Sequence, residues 1–195
     1  MPLADDALEV LATALRDPSV VLRYQEMIVT VPGSECLWWR GAVSGRGHGR
    51  FYVGTVPVTC DLEADVRVVE GAGGEGGEGQ DGSGRRELCM IAHRFGYALA
   101  YGAAALNTVP VFGHGCDNAL CQRIGAGHAQ PSSHAQNRRA FLARRSVVGN
   151  PLGDARGARR RSRELRDLTR ANPAAVAADQ ARLLRLGLQL PLFDG

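Results

Sequence analysis

The chain has 195 residues, a normal share of hydrophobic residues (45%) and a formal net charge of +3, which fits one soluble domain with short extensions. No run of 18 apolar residues occurs, which argues against a membrane partner, and the acidic start MPLADD is unlike a secretion signal. We therefore expect a cytoplasmic protein.

The first third of the chain predicts helices and then strands. Residues 3–27 carry apolar side chains at helical spacing with a break at Asp17-Pro18, which predicts two short helices in an N-terminal arm over 1–35. Residues 36–69 contain aromatic and β-branched runs between glycines, which predict strands. Residues 71–84 have no apolar side chain larger than alanine, so we expect a disordered loop there.

The rest of the chain predicts mixed elements. Residues 87–102 indicate a strand that runs into a helix, and residues 109–114 a short strand that ends at His114. A helix should begin at Ser132-Ser133, with Ala140, Phe141 and Ala143 on or near its inner face. Further helices at about 155–170 and 173–187 would form a C-terminal extension over 149–195. The fold class is therefore α+β.

The basic residues are concentrated in one region. All 23 are arginines, and between residues 138 and 170 eleven arginines accompany only three carboxylates. This density predicts contact with a polyanion, although a solvated helix face would have a similar composition. We expect contacts to phosphate from Arg138, Arg139, Arg144, Arg145, Arg159, Arg160 and Arg161.

Residues 116–128 have the spacing of a metal site. Cys116 and Cys121 lie five residues apart, and His128 follows seven residues later in a loop poor in apolar side chains. Zn²⁺ favours tetrahedral sets of thiolates and imidazoles, so these three residues predict a structural zinc site. The fourth ligand must come from elsewhere, and Cys36, Cys60 and Cys89 are the candidates. Cys60 and Cys89 lie in apolar runs that favour buried positions.

Two polar residues beside this loop have catalytic potential. His114 precedes Cys116 by two residues, so the metal loop would hold its imidazole rigidly, and a neutral imidazole can accept a proton from water. Asn137 should lie in the first turns of the next helix, and its amide oxygen suits Mg²⁺. A base, a divalent cation and a basic surface together indicate hydrolysis of a phosphodiester.

The pattern His114-x-Cys116-Asp-Asn-x-x-Cys121, followed by His128 and Asn137, resembles the HNH endonucleases of the His-Me finger type that are closest to the His-Cys box homing enzymes. Two upstream blocks, one starting at CLWWRGA and continuing to GHGRF, the other AHRFGYALAYG, resemble blocks that commonly accompany it. The three blocks span about residues 36–145, in the order of that family.

The resemblance implies a ββα-metal core over residues 36–148, with His114 as general base and Asn137 as ligand of a catalytic Mg²⁺ or Mn²⁺. It implies Cys36 as the fourth zinc ligand, beside Cys116, Cys121 and His128. Three departures stand out: the segment before His128 is two residues longer than usual, Gln136 replaces a frequent aspartate, and residues 71–84 expand a tight hairpin. The longer segment leaves the choice between His128 and His134 open.

The functional expectation is a DNA endonuclease, of a restriction or homing type, that leaves 5′-phosphate and 3′-hydroxyl ends. Either Arg50 or Arg94 could neutralise the scissile phosphate, whereas His48 and His93 have no partner at a telling spacing. The partner would be double-stranded DNA, the location the nucleoid, and cutting of both strands would need a homodimer. The alternatives are a zinc-dependent DNA-binding module without catalysis and an RNase or non-specific nuclease.

Overall fold

A computed structural model describes residues 3–57, 85–145, 147 and 150–188, so the predicted disordered loop at 71–84 and Cys60 lie outside the described residues. Within this part the protein is a mixed α+β structure, as the sequence predicts. Its helices are α1 (Asp5–Ala14), α2 (Pro18–Glu26), α3 (Ala92–Tyr101), α4 (Ala103–Asn107), α5 (His134–Arg145), α6 (Ala158–Ala171) and α7 (Pro173–Leu188), with one 3-10 turn at Pro151–Gly153. None of these helices is long and apolar enough to cross a membrane.

The strands form three small antiparallel sheets. Strand β1 (Ile28–Thr30) pairs with β2 (Leu37–Trp39), and β3 (Ala42–Val43) pairs with β4 (Gly49–Pro57), which also pairs with β5 (Arg85–Ile91). Strand β6 (Val111–His114) pairs with β7 (Ala129–Ser132). Along the chain, residues 58–84 connect β4 to β5, and the predicted metal loop connects β6 to β7.

One hydrophobic core joins the N-terminal helices, most of the strands and the C-terminal helices of the described chain. Trp38 and Trp39 are fully buried at its centre, and Phe51 and Phe95 pack beside them with ring centroids 4.6 Å apart. The N-terminal helices and the C-terminal helices belong to the same core through Leu3, Ala7, Leu11, Tyr24, Leu165 and Val176. The N-terminal segment thus packs against the strands, because α1 presents small and aliphatic side chains on one face.

Helix α5 directly follows the β6–β7 hairpin and begins as the sequence predicts. Ser133 caps it: the Ser133 hydroxyl accepts a hydrogen bond from the Gln136 amide, and the Gln136 side chain accepts one from the Ser133 amide. The predicted inner face is wrong, however, because α5 has no buried residue and Phe141 and Ala143 are exposed. The helix is held mainly by its ends and by polar contacts.

Candidate metal cluster and basic cleft

Three thiols and one imidazole converge at the start of the metal loop. The Sγ atoms of Cys36, Cys116 and Cys121 and a ring nitrogen of His128 all lie within 4.8 Å of one another. His128 Nδ1 is 3.5 Å from Cys121 Sγ and 3.8 Å from Cys36 Sγ. This Cys₃His cluster could hold a metal ion such as zinc, whose tetrahedral sites use these donors.

Backbone pairing explains how Cys36 reaches a loop that lies 80 residues further along the chain. The Gln122 amide donates a 2.7 Å hydrogen bond to the Leu37 carbonyl, and Trp38 lies opposite Cys121 in an isolated antiparallel bridge. This part of the loop thus pairs with β2 through an isolated bridge and is not itself a strand. Because Trp38 is anchored in the core, the residue just before β2 is brought to the cluster.

The structure also shows which of the candidate metal ligands left open by the sequence lie in the cluster. His128 is buried within the cluster, whereas His134 is exposed at the first residue of α5. Cys36 supplies the fourth donor, and Cys89 is a buried residue of β5 outside the cluster, as its apolar surroundings predict. The two-residue extension before His128 therefore leaves the Cys₃His set intact.

The thiols of the cluster cannot all ionise without a cation. Hydrogen bonds from the Cys116 and Cys121 thiols lower the pKa of Cys36, whereas the Cys116 and Cys36 thiols, with burial, raise the pKa of Cys121. The physical cause is that a first thiolate is stabilised by neighbouring S–H donors, and further thiolates would be repelled by it. A divalent cation would remove this repulsion, so the cluster is electrostatically suited to a metal ion.

His114 ends β6 and lies within a group of three imidazoles. Its Nε2 is 3.3 Å from His93 Nδ1, and its ring centroid is 6.0 Å from that of His48. Burial, followed by the nearby His48, lowers the pKa of His114 to about 3, and burial also lowers the pKa of His93. The His114 ring is therefore neutral at pH 7, and its buried Nδ1 has no hydrogen-bond partner among the described residues.

Asn137 lies in the first turn of α5, close to the strand that carries His114. A Cβ atom added to Gly113 would lie 3.2 Å from Asn137 Oδ1. The amide oxygen thus approaches the backbone of the residue directly before His114, and glycine leaves room for it. The helix that follows the hairpin therefore places Asn137 against β6 at Gly113, whereas the side chain of the next strand residue, His114, projects to the other face. A joint role of His114 and Asn137 stays a prediction.

A cleft of about 720 Å³ opens beside these groups. Asn137, His48 and His93 line it, and so do five arginines: Arg46, Arg50, Arg94, Arg159 and Arg163. None of the described residues that line the cleft is an aspartate or a glutamate. A concave surface with several guanidinium groups and no carboxylate is suited to an anion with several charges.

The arginines predicted to bind phosphate differ in their accessibility. Arg50 and Arg94 line the cleft, although Arg94 is buried with its guanidinium 5.7 Å from the Phe112 ring centroid. Arg159 lines the cleft from α6. Arg138, Arg139 and Arg145 are exposed on α5, outside the residues that line the cleft.

Three arginines of the predicted set form ion pairs with carboxylates of the protein. Arg144 Nε donates to both carboxylate oxygens of Asp117 at 2.9 Å, and Arg160 pairs with Glu164 at 2.8 Å. Arg161 is buried and lies 3.4 Å from Asp154. Arg161 is thus corrected from a surface contact to an internal residue, because α6 turns that side chain toward the core.

Sequence reasoning assigned no role to four residues that the structure places at the cleft, namely Arg46, His48, His93 and Arg163. A signal existed for three of them. His48 and His93 stand in the two upstream blocks GHGRF and AHRF, and Arg163 follows Arg159 by four residues, which is one face of a helix.

Comparisons with known proteins gave no match: no family, no curated protein and no solved structure corresponds to this chain. The arguments for function therefore rest on the residues and their geometry.

Proposed function

We propose that the protein is a metal-dependent DNA endonuclease in which the β6–β7 hairpin and α5 form a ββα-metal core. One observation carries the proposal: Asn137 and His93, which contacts the neutral His114, line a cleft that has five arginines and no carboxylate among its described lining. Nucleic-acid backbone supplies the closely spaced negative charges that such a cleft can neutralise. Along the chain, strand β6 ends at His114, the metal loop follows, and α5 carries Asn137. This is the order that the resemblance to the His-Me finger endonucleases implies.

In this proposal His114 is the general base. Its Nδ1 accepts a proton from water while the water oxygen attacks phosphorus and the bond from phosphorus to the 3′ oxygen breaks. For Nδ1 to carry a free lone pair, the ring hydrogen must be on Nε2, and His93 Nδ1 lies 3.3 Å away where it can accept that hydrogen bond. The products would be a 5′-phosphate and a 3′-hydroxyl, which takes its proton from solvent.

Asn137 would hold a Mg²⁺ or Mn²⁺ ion through its side-chain oxygen, together with oxygens of the substrate. Such an ion, when bound, stabilises the charge that develops on the phosphate and on the leaving oxygen. Arg50 and Arg94 would bind the phosphate flanked by the reacting groups, since both line the same cleft. In this proposal the arginines of the cleft bind the substrate phosphates, while His114 accepts the proton of the attacking water.

The Cys₃His cluster would hold one structural Zn²⁺ per chain. This role is supported by the full set of four protein donors, which leaves no open position for a substrate. Because His114 is two residues from Cys116, the ion would fix the end of β6 without being part of the reaction. One active site cuts one strand, so a double-strand break on duplex DNA would require a homodimer.

The test is nicking of supercoiled plasmid by the purified full chain with Mg²⁺, followed by sequencing and ligation of the product ends. His114→Ala should reduce the cleavage rate by roughly 10²–10⁴-fold, the usual contribution of a general base. His134→Ala is the matched control, because His134 is an exposed histidine of the same unit that lies outside the cluster and the cleft lining. It should cleave at the wild-type rate.

Four results would contradict the proposal. Full activity of His114→Ala would show that His114 is not the general base. Loss of zinc in that variant would show that His114 is a zinc ligand. DNA binding without cleavage by the wild-type protein, with Mg²⁺ or Mn²⁺, would favour a zinc-dependent binding module, for which the basic cleft alone suffices. A preference for RNA in the same assay would favour an RNase.

A further inference from the structure

Helix α6 carries six arginines, and the structure divides them into two groups. Four have partners within the protein: Arg160 with Glu164, Arg161 with Asp154, Arg166 with Asp167, and Arg170 with the Arg40 carbonyl. Arg159 and Arg163 are exposed and have no hydrogen bond or ion pair with any residue that the structure describes. These two are also the arginines of α6 that line the cleft.

The position of α6 beside the cleft is fixed by close packing. The turn between β3 and β4 lies against the first turn of the helix so tightly that a Cβ atom on Gly47 would lie 2.8 Å from the Ala158 carbonyl oxygen and 2.9 Å from Ser162 Oγ. Ser162 and Leu165 are buried on the inner face of α6. The helix is therefore a rigid wall of the cleft.

Arg159 and Arg163 are four residues apart, so both side chains project from the same face of the helix. Two guanidinium groups on one face repel each other unless an anion lies between or beside them. The two carboxylates of the helix are already bound, Glu164 by Arg160 and Arg156 and Asp167 by Arg166. Among the described residues the pair thus lacks a counter-charge, in contrast to its neighbours on α6.

We propose that Arg159 and Arg163 form a second phosphate-binding site, which holds the nucleic-acid backbone at phosphates beside the scissile one. The inference rests on the proposed function for its ligand but concerns binding and not cleavage. Contacts of this type fix the register of the strand without reading bases. The C-terminal helix would then be a necessary wall of the site, and its other arginines would be structural.

The experiment compares two matched double variants in a His114→Ala background, where the DNA remains intact. Arg159→Gln/Arg163→Gln removes the two unpaired arginines, and Arg160→Gln/Arg166→Gln removes two ion-paired arginines of the same helix. The dissociation constant for a labelled DNA duplex is measured by fluorescence anisotropy over a range of salt concentrations. The first variant should lower the slope of log K against log salt by roughly 0.9 for each phosphate that is no longer neutralised, and the second should leave it unchanged.

Equal slopes for the two variants would overturn the proposal, because the effect would then follow net charge alone. A wild-type slope in Arg159→Gln/Arg163→Gln would overturn it as well. Thermal melting checks that both variants fold, which matters most for the control, because Arg166 is largely buried whereas Arg159 and Arg163 are exposed. The nicking assay is separate: a protein that fails to cleave DNA but shows the predicted slopes would refute the nuclease and keep the phosphate site.

Discussion

The metal cluster and the basic cleft both adjoin β6, and they are suited to ligands of opposite charge. The cluster collects three thiols and an imidazole within 4.8 Å, all of them electron-pair donors. The cleft collects five guanidinium groups with no carboxylate among its described lining. The first arrangement is stable when a cation binds, and the second when an anion binds.

Because of this difference, we expect the cluster to contribute mainly to folding and the cleft mainly to ligand binding. A group of four protein donors closes around an ion and stabilises the loop that holds it. A group of arginines with no carboxylate among the described residues around it costs stability through mutual repulsion and is therefore expected where a ligand compensates for it. Variants in the two regions should consequently change different quantities: zinc content and unfolding in the cluster, binding and cleavage in the cleft.

The largest effect is expected at Cys121, which is fully buried in the cluster. Cys121→Ser should lose zinc and unfold at the growth temperature, because the binding energy of structural zinc, about 10–16 kcal/mol in small zinc domains, contributes to folding. The measurements are the zinc content by elemental analysis and the thermal unfolding curve. A chelator should produce the same loss in the wild-type protein.

Cys89→Ala provides the control for this substitution. Cys89 is a buried thiol in β5 outside the cluster, so its removal should cost only packing energy and leave one zinc per chain. Loss of zinc in both variants would show that the sequence motif does not define the ligands. A folded and active Cys121→Ser protein would contradict a structural metal altogether.

An intermediate effect is expected at Asn137, on the cleft side of the comparison. Asn137→Ala should weaken the binding of the proposed catalytic cation by about 10–100-fold, a range typical for changes around metal ligands. Cleavage should fall at low Mg²⁺ and recover partly at high Mg²⁺ or Mn²⁺, while zinc content and unfolding stay the same. Rates that do not depend on the Mg²⁺ concentration in either protein would exclude this role.

The sequence predicted those parts of the structure that local signals specify. The spacing of Cys116, Cys121 and His128 predicted a metal loop, and the cap at Ser133 predicted the start of α5. Strand β7 was missed, because its residues AQPS have neither alternation nor β-branched side chains. It forms because the metal loop returns the chain beside β6, which is a tertiary cause.

The roles of individual arginines could not be predicted, because they depend on partners distant in sequence. Arg144 finds Asp117, which is 27 residues earlier, and Arg161 is turned into the core by the packing of α6 on the strands. Composition indicates that a region is basic but cannot tell a paired guanidinium from an unpaired one. The cleft likewise combines residues from five separate segments, so no spacing along the chain revealed it.

The smallest effect is expected at the link between the two regions, which is Arg144. From the last turn of α5, its Nε donates to the Asp117 carboxylate in the metal loop, and its Nη2 donates a 3.1 Å hydrogen bond to the His114 carbonyl. Asp117 has a left-handed backbone (φ 51°) and a largely buried side chain, which also accepts from Asn150. Arg144 thus ties the helix of Asn137 to the strand of His114.

Arg144→Ala should lower the free energy of unfolding by about 1 kcal/mol, less than is usual for loss of a charged hydrogen bond, because the guanidinium is partly exposed and Asn150 still binds Asp117. Cleavage should slow a few-fold in kcat with unchanged KM, since a small misplacement of Asn137 relative to His114 affects the reaction more than binding. Arg144→Lys should restore little, because lysine cannot bridge two acceptors in the same fork geometry. Denaturant unfolding and steady-state kinetics measure these effects. If Arg144→Ala instead kept full stability and lowered the salt slope of DNA binding by about 0.9, Arg144 would be a phosphate contact, and the separation between the two regions would fail at this residue.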